Sequence, residues 1–204
     1  MPAARVQRAA RKEALVRAAI EVMVEQGLAE SRIADIAARA GISPGHVLYY
    51  FESKDDLFLQ ALGTVERDLR EDVLARTATL ATGAARFGQL LEAAAPVGPG
   101  DVRLLLWLEA WERAPRDEHV ARQVRQMEDE WLELLTGILR HGRDRGEFES
   151  ADLDGFALRF SALMDGLTIQ VVTGSHHLDR AGMLAICRDV ARRDLGWTAL
   201  SSAG

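Results

Sequence analysis

Two very short helical segments in succession, residues 31–40 and 43–50, constrain the fold of this chain more than any other feature. A longer segment with helical apolar periodicity, residues 8–26, precedes them, and a much longer one, residues 53–80, follows them. Helices of about eight residues are marginal in water when isolated, so both must be held by packing on their neighbours. The pattern predicts a helix-turn-helix, with Gly41 in the turn between the two short helices.

The residues within this motif are spaced as a helix-turn-helix requires. Ser31 and Ser43 are predicted to cap the two short helices. Ala37 is small where the two short helices would cross. Ile42 and Val47 supply apolar side chains that face the first helix, residues 8–26. A unit of this kind presents the N-terminal part of its second helix to the major groove of DNA. We therefore predict that the motif reads DNA.

The outward positions of the second short helix carry groups that can reach phosphates or base edges. Hydroxyl, imidazole and phenol groups form hydrogen bonds with either, and proline and glycine permit close approach of the backbone. The residues at these positions, including the proline and the glycine, are Ser43, Pro44, Gly45, His46, Tyr49 and Tyr50. Lys54, one of only two lysines, begins the next helix, where a phosphate contact is expected. The alternative is an aromatic knot of Tyr49, Tyr50 and Phe51 that closes a small core, and for Phe51 it is the interpretation that we prefer.

The formal net charge of −6 is unusual for a DNA-binding protein until the charges are divided along the chain. Residues 1–60 carry 8 basic and 8 acidic side chains, whereas residues 61–204 carry 17 and 23. The first 17 residues contain five basic side chains and a single acid, Glu13. A locally basic end on an acidic body is typical of a protein that contacts phosphates at one end, although basic N-terminal tails are common on other proteins too.

The stretch SRIADIAARAGISPGHVLYYFESKDDLF, residues 31–58, resembles the DNA-binding domain of the TetR-type repressor family. Small, glycine, aromatic and lysine positions fall in register across its whole length. The resemblance implies a reading surface formed by Ser43, Pro44, Gly45, His46 and Tyr49. It also implies that Tyr50 and Lys54 hold phosphates.

Two departures from the family pattern concern contact residues. Leu48 and Tyr50 stand where the family usually has Tyr and His, a variant that resembles the BetI-type branch. Arg32 replaces a hydroxyl residue that often caps the helix and contacts a phosphate, so the resemblance implies that Arg32 supplies this contact by its charge.

The C-terminal part resembles that same BetI-type branch in the strings LWLEAWERAP (106–115), RDRGEFESADLD (143–154) and LMDGL (163–167), and around Trp131. The resemblance implies about five helices, a ligand cavity and dimerisation through the last two helices.

Independently of the resemblance, the last two helices are apolar on more than one face, which suits burial both in the chain's own core and against a partner. The predicted interface residues are Phe156, Leu163, Leu167, Val171, Met183, Ile186 and Val190. A monomeric bundle that buries all of them is the alternative.

Three tryptophans predict a small-molecule pocket in the C-terminal part. Trp107 and Trp111 are four residues apart on one helix and share a face, while Trp131 lies on the next helix. Indoles can line a pocket for a flat or apolar molecule, or for a cation with Glu109 or Glu112 nearby. The predicted lining consists of Leu104, Trp107, Leu108, Trp111, Met127, Trp131, Phe160 and Met164. The alternative is that these tryptophans simply fill the core.

The sequence therefore predicts an all-α protein with a three-helix DNA-binding domain (1–53) and a helical ligand-binding and dimerisation domain (54–204), linked by the long helix 53–80. We expect a homodimeric regulator, a repressor released from a palindromic operator by a small molecule. The alternative is a structural DNA-binding protein without a ligand.

Other classes of function find little support in the sequence. It contains no nucleophile–base set, no His/Cys set with metal-ligand spacing and no glycine-rich phosphate loop, so we expect no enzyme, metal or cofactor. A single cysteine, Cys187, no signal peptide and no apolar run of about 18 residues predict a cytoplasmic protein without a membrane span.

Overall fold

The computed structural model describes residues 2–27 and 30–197, and within these ranges the chain is helical without a strand. The predicted all-α class is confirmed. The helices of the described residues are α1 (Pro2–Gln26), α2 (Ile33–Arg39), α3 (Pro44–Tyr50), α4 (Lys54–Thr77), α5 (Gly83–Ala94), α6 (Val102–Arg113), α7 (Glu118–Asp144), α8 (Leu153–Thr173) and α9 (Arg180–Asp194), with a 3₁₀ turn at Ser175–His177.

The helix boundaries follow local chemistry, with two corrections. Ser43 lies at the predicted cap position of α3, but its side chain makes no capping hydrogen bond. The turn between α2 and α3 contains Gly41 at φ +68°, the left-handed conformation that favours glycine. Ser53 caps α4, since its hydroxyl accepts a hydrogen bond from the Asp56 amide at 3.0 Å. The prediction that Ser31 caps α2 is wrong. Arg32 occupies the cap position, and the buried Ser31 hydroxyl donates to the Gly27 carbonyl at 2.7 Å.

The chain divides into two compact units: the first comprises Met1–Glu66 with Val102–Val124, and the second Arg67–Asp101 with Arg125–Gly204. In the first unit α1 packs against α2 and α6, and α2 packs against α3. The buried side chains of its helix-turn-helix include Ile36, Ala37, Val47 and Phe51. Phe51 thus lies in the core, as preferred above. The division of the chain into domains at residues 53 and 54 stays a prediction.

The core of the second unit is built mainly from α5, α7, α8 and α9, with α9 packed against both α5 and α8. Its aromatic centre contains Phe87, Phe148, Phe156, Phe160 and Trp197. Cys187 is buried in this core, and burial raises the pKa of its thiol to about 11. The thiol is therefore protonated at neutral pH and packs as a small apolar side chain.

Helix α8 is long and apolar enough, by length and composition alone, to cross a bilayer, although Asp154, Arg159 and Asp165 interrupt its apolar residues. Phe156, Phe160 and Met164 of α8 are buried in the core of the second unit. A core helix satisfies the same length and composition test, so packing explains the buried face of α8, while Leu158 and Ile169 on the same helix are exposed.

Candidate nucleic-acid interface

Helix α3 is held on one side by buried apolar residues and exposes the opposite side. Val47 and the following Phe51 are buried, whereas Tyr49 is 64% exposed. The other predicted reading residues, Ser43, Pro44, Gly45 and His46, are all exposed. This arrangement can present polar groups of α3 to a ligand without loss of core packing. Their role as DNA contacts stays a prediction.

The basic face of α1 lies beside the exposed side of α3, within the first unit. The Arg8 guanidinium lies over the Tyr49 ring at 5.3 Å from its centroid, and the Lys12 ammonium lies 5.4 Å from that of Phe51. Arg11 lines a cleft that it shares with His46 and Tyr49. The sequence did not single out these α1 residues as neighbours of α3. The excess of basic residues near the N-terminus was the signal, but it could not indicate which of them face α3.

Contacts among the aromatic and polar groups of α3 limit their freedom. The Tyr49 and Tyr50 rings meet edge to face with centroids 5.3 Å apart, and Tyr50 is half-buried. The Ser43 hydroxyl lies 3.5 Å from Nδ1 of His46. The contact between Tyr49 and Tyr50 agrees in part with the alternative of an aromatic knot, although the Tyr49 ring remains largely accessible.

The remaining predicted phosphate contacts lie at helix starts. Arg32 is exposed just before α2, and its side chain makes no capping hydrogen bond. Lys54 is the first residue of α4 and is half-buried. Both stay predicted contacts.

Arg39, a basic residue on α2, forms ion pairs with acidic residues of α1. Its guanidinium pairs with the carboxylates of Glu21, at 3.0 Å, and of Glu25, both on α1. The hydrogen bond with Glu25 raises the pKa of Arg39, and the same bond lowers the pKa of Glu25. Arg39 therefore ties α2 to α1, and its charge is compensated by two carboxylates.

The position of Arg11 gives a testable expectation for DNA binding. We expect Arg11→Ala to flatten the salt dependence, because each phosphate contact contributes about 0.9 to the slope of log K against log salt. Fluorescence anisotropy titrations between about 50 and about 200 mM salt measure this slope. Arg122→Ala is the matched control, since Arg122 is an exposed basic residue of the first unit on α7. Equal slopes for both variants would show that Arg11 contacts no phosphate.

The tryptophans predicted to line a pocket divide between the two units. In the first unit the Trp107 indole donates a hydrogen bond to Glu66 Oε1 at 2.6 Å, and the rings of Trp107 and Trp111 lie 5.2 Å apart. Arg103 lies 3.5 Å from the same carboxylate. Leu104 is buried and Leu108 half-buried on this helix.

The carboxylates expected near these indoles have other partners. Glu109 pairs with Arg113, and Glu112 pairs with Arg116. Glu66 instead bonds to Trp107, which is 41 residues away in sequence. Glu66 could not be predicted from the sequence, because no local spacing connects two such distant positions.

In the second unit the predicted lining residues have core contacts of their own. The Trp131 indole donates to the Ser161 hydroxyl at 2.8 Å. Phe160 stacks on Phe156 with centroids 5.2 Å apart, and Met127 and Met164 are buried. The pocket stays a prediction.

The residues predicted for the dimer interface differ in accessibility. Phe156, Leu167, Val171 and Met183 are buried in the core of the second unit, and Leu163 and Val190 are packed against it. Ile186 is 38% exposed, and the exposed apolar residues of α8 are Leu158, at 62%, and Ile169, at 37%. Apolar periodicity alone could not assign the several apolar faces of α8 and α9 to core or surface. The interface stays a prediction.

A helix-turn-helix with an exposed polar reading face and a basic supporting helix defines a class of DNA-binding proteins. Residues 15–61 match the family model described as bacterial regulatory proteins, tetR family. Residues 83–196 match the model described as BetI-type transcriptional repressor, C-terminal. The chain belongs to the TetR family of transcriptional regulators, with a C-terminal domain of the BetI type.

Individual relatives agree with this assignment. The chain is 28% identical to the HTH-type transcriptional regulator BetI of Escherichia coli strain K12 over 183 residues, which covers 87% of this chain and 90% of that protein. It is 28% identical to BetI of Rhizobium meliloti over 192 residues, 91% of this chain and 89% of that protein. Its fold is similar to that of a transcriptional regulator from Saccharomonospora viridis crystallised in complex with choline, with a TM-score of 0.81, 27% identity and coverage of 92% and 98%.

Proposed function

We propose that this protein represses transcription as a homodimer bound to a palindromic operator, and that a small cationic effector releases it. The observation that carries the proposal is the exposed polar side of α3, held on buried Val47 and Phe51 and flanked by the basic α1. Membership of a family of regulators, with a C-terminal domain described as that of a repressor, supports the direction of the effect. A regulator of this kind acts where the genome is, in the cytoplasm, and needs no catalytic activity.

A two-fold dimer would place two copies of α3 about 34 Å apart, one turn of the double helix, on the two halves of a palindrome. The exposed apolar residues Leu158, Ile169 and Ile186 on the last two long helices support self-association. Sedimentation at micromolar concentration tests the dimer, because a protein that remains monomeric could not read two half-sites in this way.

A gel-shift assay with the DNA upstream of the protein's own gene tests the proposed function. We expect retardation of this duplex at moderate salt, and much weaker retardation of an unrelated duplex of equal length. Equal binding to both duplexes would favour the alternative of a structural DNA-binding protein. No retardation of either would contradict DNA binding itself.

The proposed effector carries a quaternary ammonium group. The complex of the Saccharomonospora viridis regulator with choline supports this class of ligand. The tilted indoles of Trp107 and Trp111, whose centroids lie 5.2 Å apart, supply aromatic faces that attract such a cation.

The indole pair leads to a test of the effector class by calorimetry. We expect choline to bind, and Trp111→Leu to weaken its binding about two- to thirtyfold, the range of a lost cation–π contact. The uncharged isostere 3,3-dimethylbutan-1-ol is the control ligand, because it keeps the shape of choline without the charge. Equal affinity for both ligands, or an unchanged affinity of Trp111→Leu for choline, would contradict this assignment. Addition of choline in the gel-shift assay should release the operator duplex.

A further inference from the structure

Helix α3 has a second exposed flank, on which Pro44 of the predicted reading surface lies together with Leu48, which that surface does not include. Leu48 is 55% exposed although it is a large aliphatic side chain on a DNA-reading helix. Pro44, four residues earlier, is also exposed. Residues four apart share one face of a helix, so Pro44 and Leu48 form a continuous apolar ridge.

This apolar ridge lies apart from the polar flank of the same helix. The cleft shared with α1 is lined by Gly45, His46, Tyr49 and Tyr50, and neither Pro44 nor Leu48 takes part in it. At Gly45, beside the ridge, a Cβ atom would meet nothing within 4 Å, so the backbone there is open to close approach. The exposed surface of α3 is therefore divided into a polar flank toward α1 and an apolar flank on its other side.

One exposed leucine is ordinary on a protein surface, but Leu48 lies on a helix that is proposed to contact DNA. The ridge belongs to the same seven-residue helix whose polar flank is proposed to enter the major groove. The major groove displays one apolar group, the C5-methyl of thymine, and aliphatic side chains contact it. A hydrogen-bonding flank and a methyl-contacting flank on one helix can together read different base pairs.

We infer that the Pro44–Leu48 ridge is a specificity element that reads thymine C5-methyl groups in the operator. Leu48 supplies the contact surface, and the rigid Pro44 ring extends it by one helical turn. This inference rests on the proposed function, because it requires α3 to lie in the major groove.

The test uses a duplex selected from a random library by the wild-type protein. Each thymine of that duplex is replaced in turn by deoxyuridine, which removes only the methyl group, and dissociation constants are measured by anisotropy at constant salt. We expect at least one thymine in each half-site at which the replacement weakens wild-type binding about three- to fivefold, as for one buried methyl group. For Leu48→Ala the same replacement should have no effect.

Val24→Ala is the matched control, because Val24 on α1 is also 55% exposed and is not among the residues that line the cleft beside α3. It should keep the full sensitivity to deoxyuridine. Thermal unfolding should be unchanged in Leu48→Ala, since the side chain is largely outside the core.

The possible failures are distinguishable. If no duplex is enriched, the proposed function fails and the inference falls with it. If a duplex is enriched but deoxyuridine has no effect, or affects wild type and Leu48→Ala equally, the inference alone is overturned. It is also overturned if Leu48→Ala binds the selected duplex like wild type but loses self-association in light scattering, because the ridge is then a protein contact.

Discussion

Replacement of Gly83 by alanine is expected to destabilise the protein by about 3 kcal/mol, the upper part of the range for overpacking. Gly83 is the first residue of α5, and a Cβ there would lie 2.4 Å from the Cα and 2.8 Å from the N of Gly142 on α7. These neighbours are backbone atoms, so relief requires the two helices to separate. Separation would also disturb Phe148, whose ring packs over Gly142 and against Trp197.

Thermal unfolding at fixed protein concentration measures this effect, with an expected fall in Tm of about 6–12 °C. Gly88→Ala is the control within the same helix, because a Cβ at Gly88 would meet nothing within 4 Å. That substitution should instead stabilise the protein by about 0.5–1 kcal/mol, since it removes a glycine from a helix interior. Similar Tm values for both variants would contradict the tight crossing of α5 and α7.

The double variant His46→Ala, Tyr49→Ala is expected to bind the operator at least about a hundredfold more weakly than the wild-type protein. Each base contact contributes about 1–3 kcal/mol of discrimination, and a dimer would lose every contact twice. Both side chains are exposed, so the fold should survive. Anisotropy titrations at constant salt measure the change.

The internal control is binding to an unrelated duplex, which depends on phosphate contacts. We expect the double variant to bind this duplex as wild type does and to unfold at a similar temperature. A parallel loss on both duplexes would assign His46 and Tyr49 to the DNA backbone rather than to the bases. An unchanged affinity for the operator would remove α3 from the reading surface.

The helix-turn-helix could be predicted because its determinants are local. Gly41 in the turn, the buried Val47 and the cap at Ser53 each act within a few residues of their own position. The prediction that Ser31 caps α2 was wrong because a serine hydroxyl just before a helix has more than one nearby hydrogen-bond partner. Its hydroxyl bonds backward to Gly27 in the structure.

The helical class, the position of the DNA-reading motif and the resemblance to one family could be predicted from the sequence, because periodicity, turns and caps are short-range properties. The packed structure was needed to show that Arg8 lies over Tyr49, that Glu66 bonds to Trp107 and that Leu48 is exposed. It also decided which apolar faces of α8 and α9 are buried. Such pairings join residues tens of positions apart, and many partners are compatible with the same local pattern until the chain is packed.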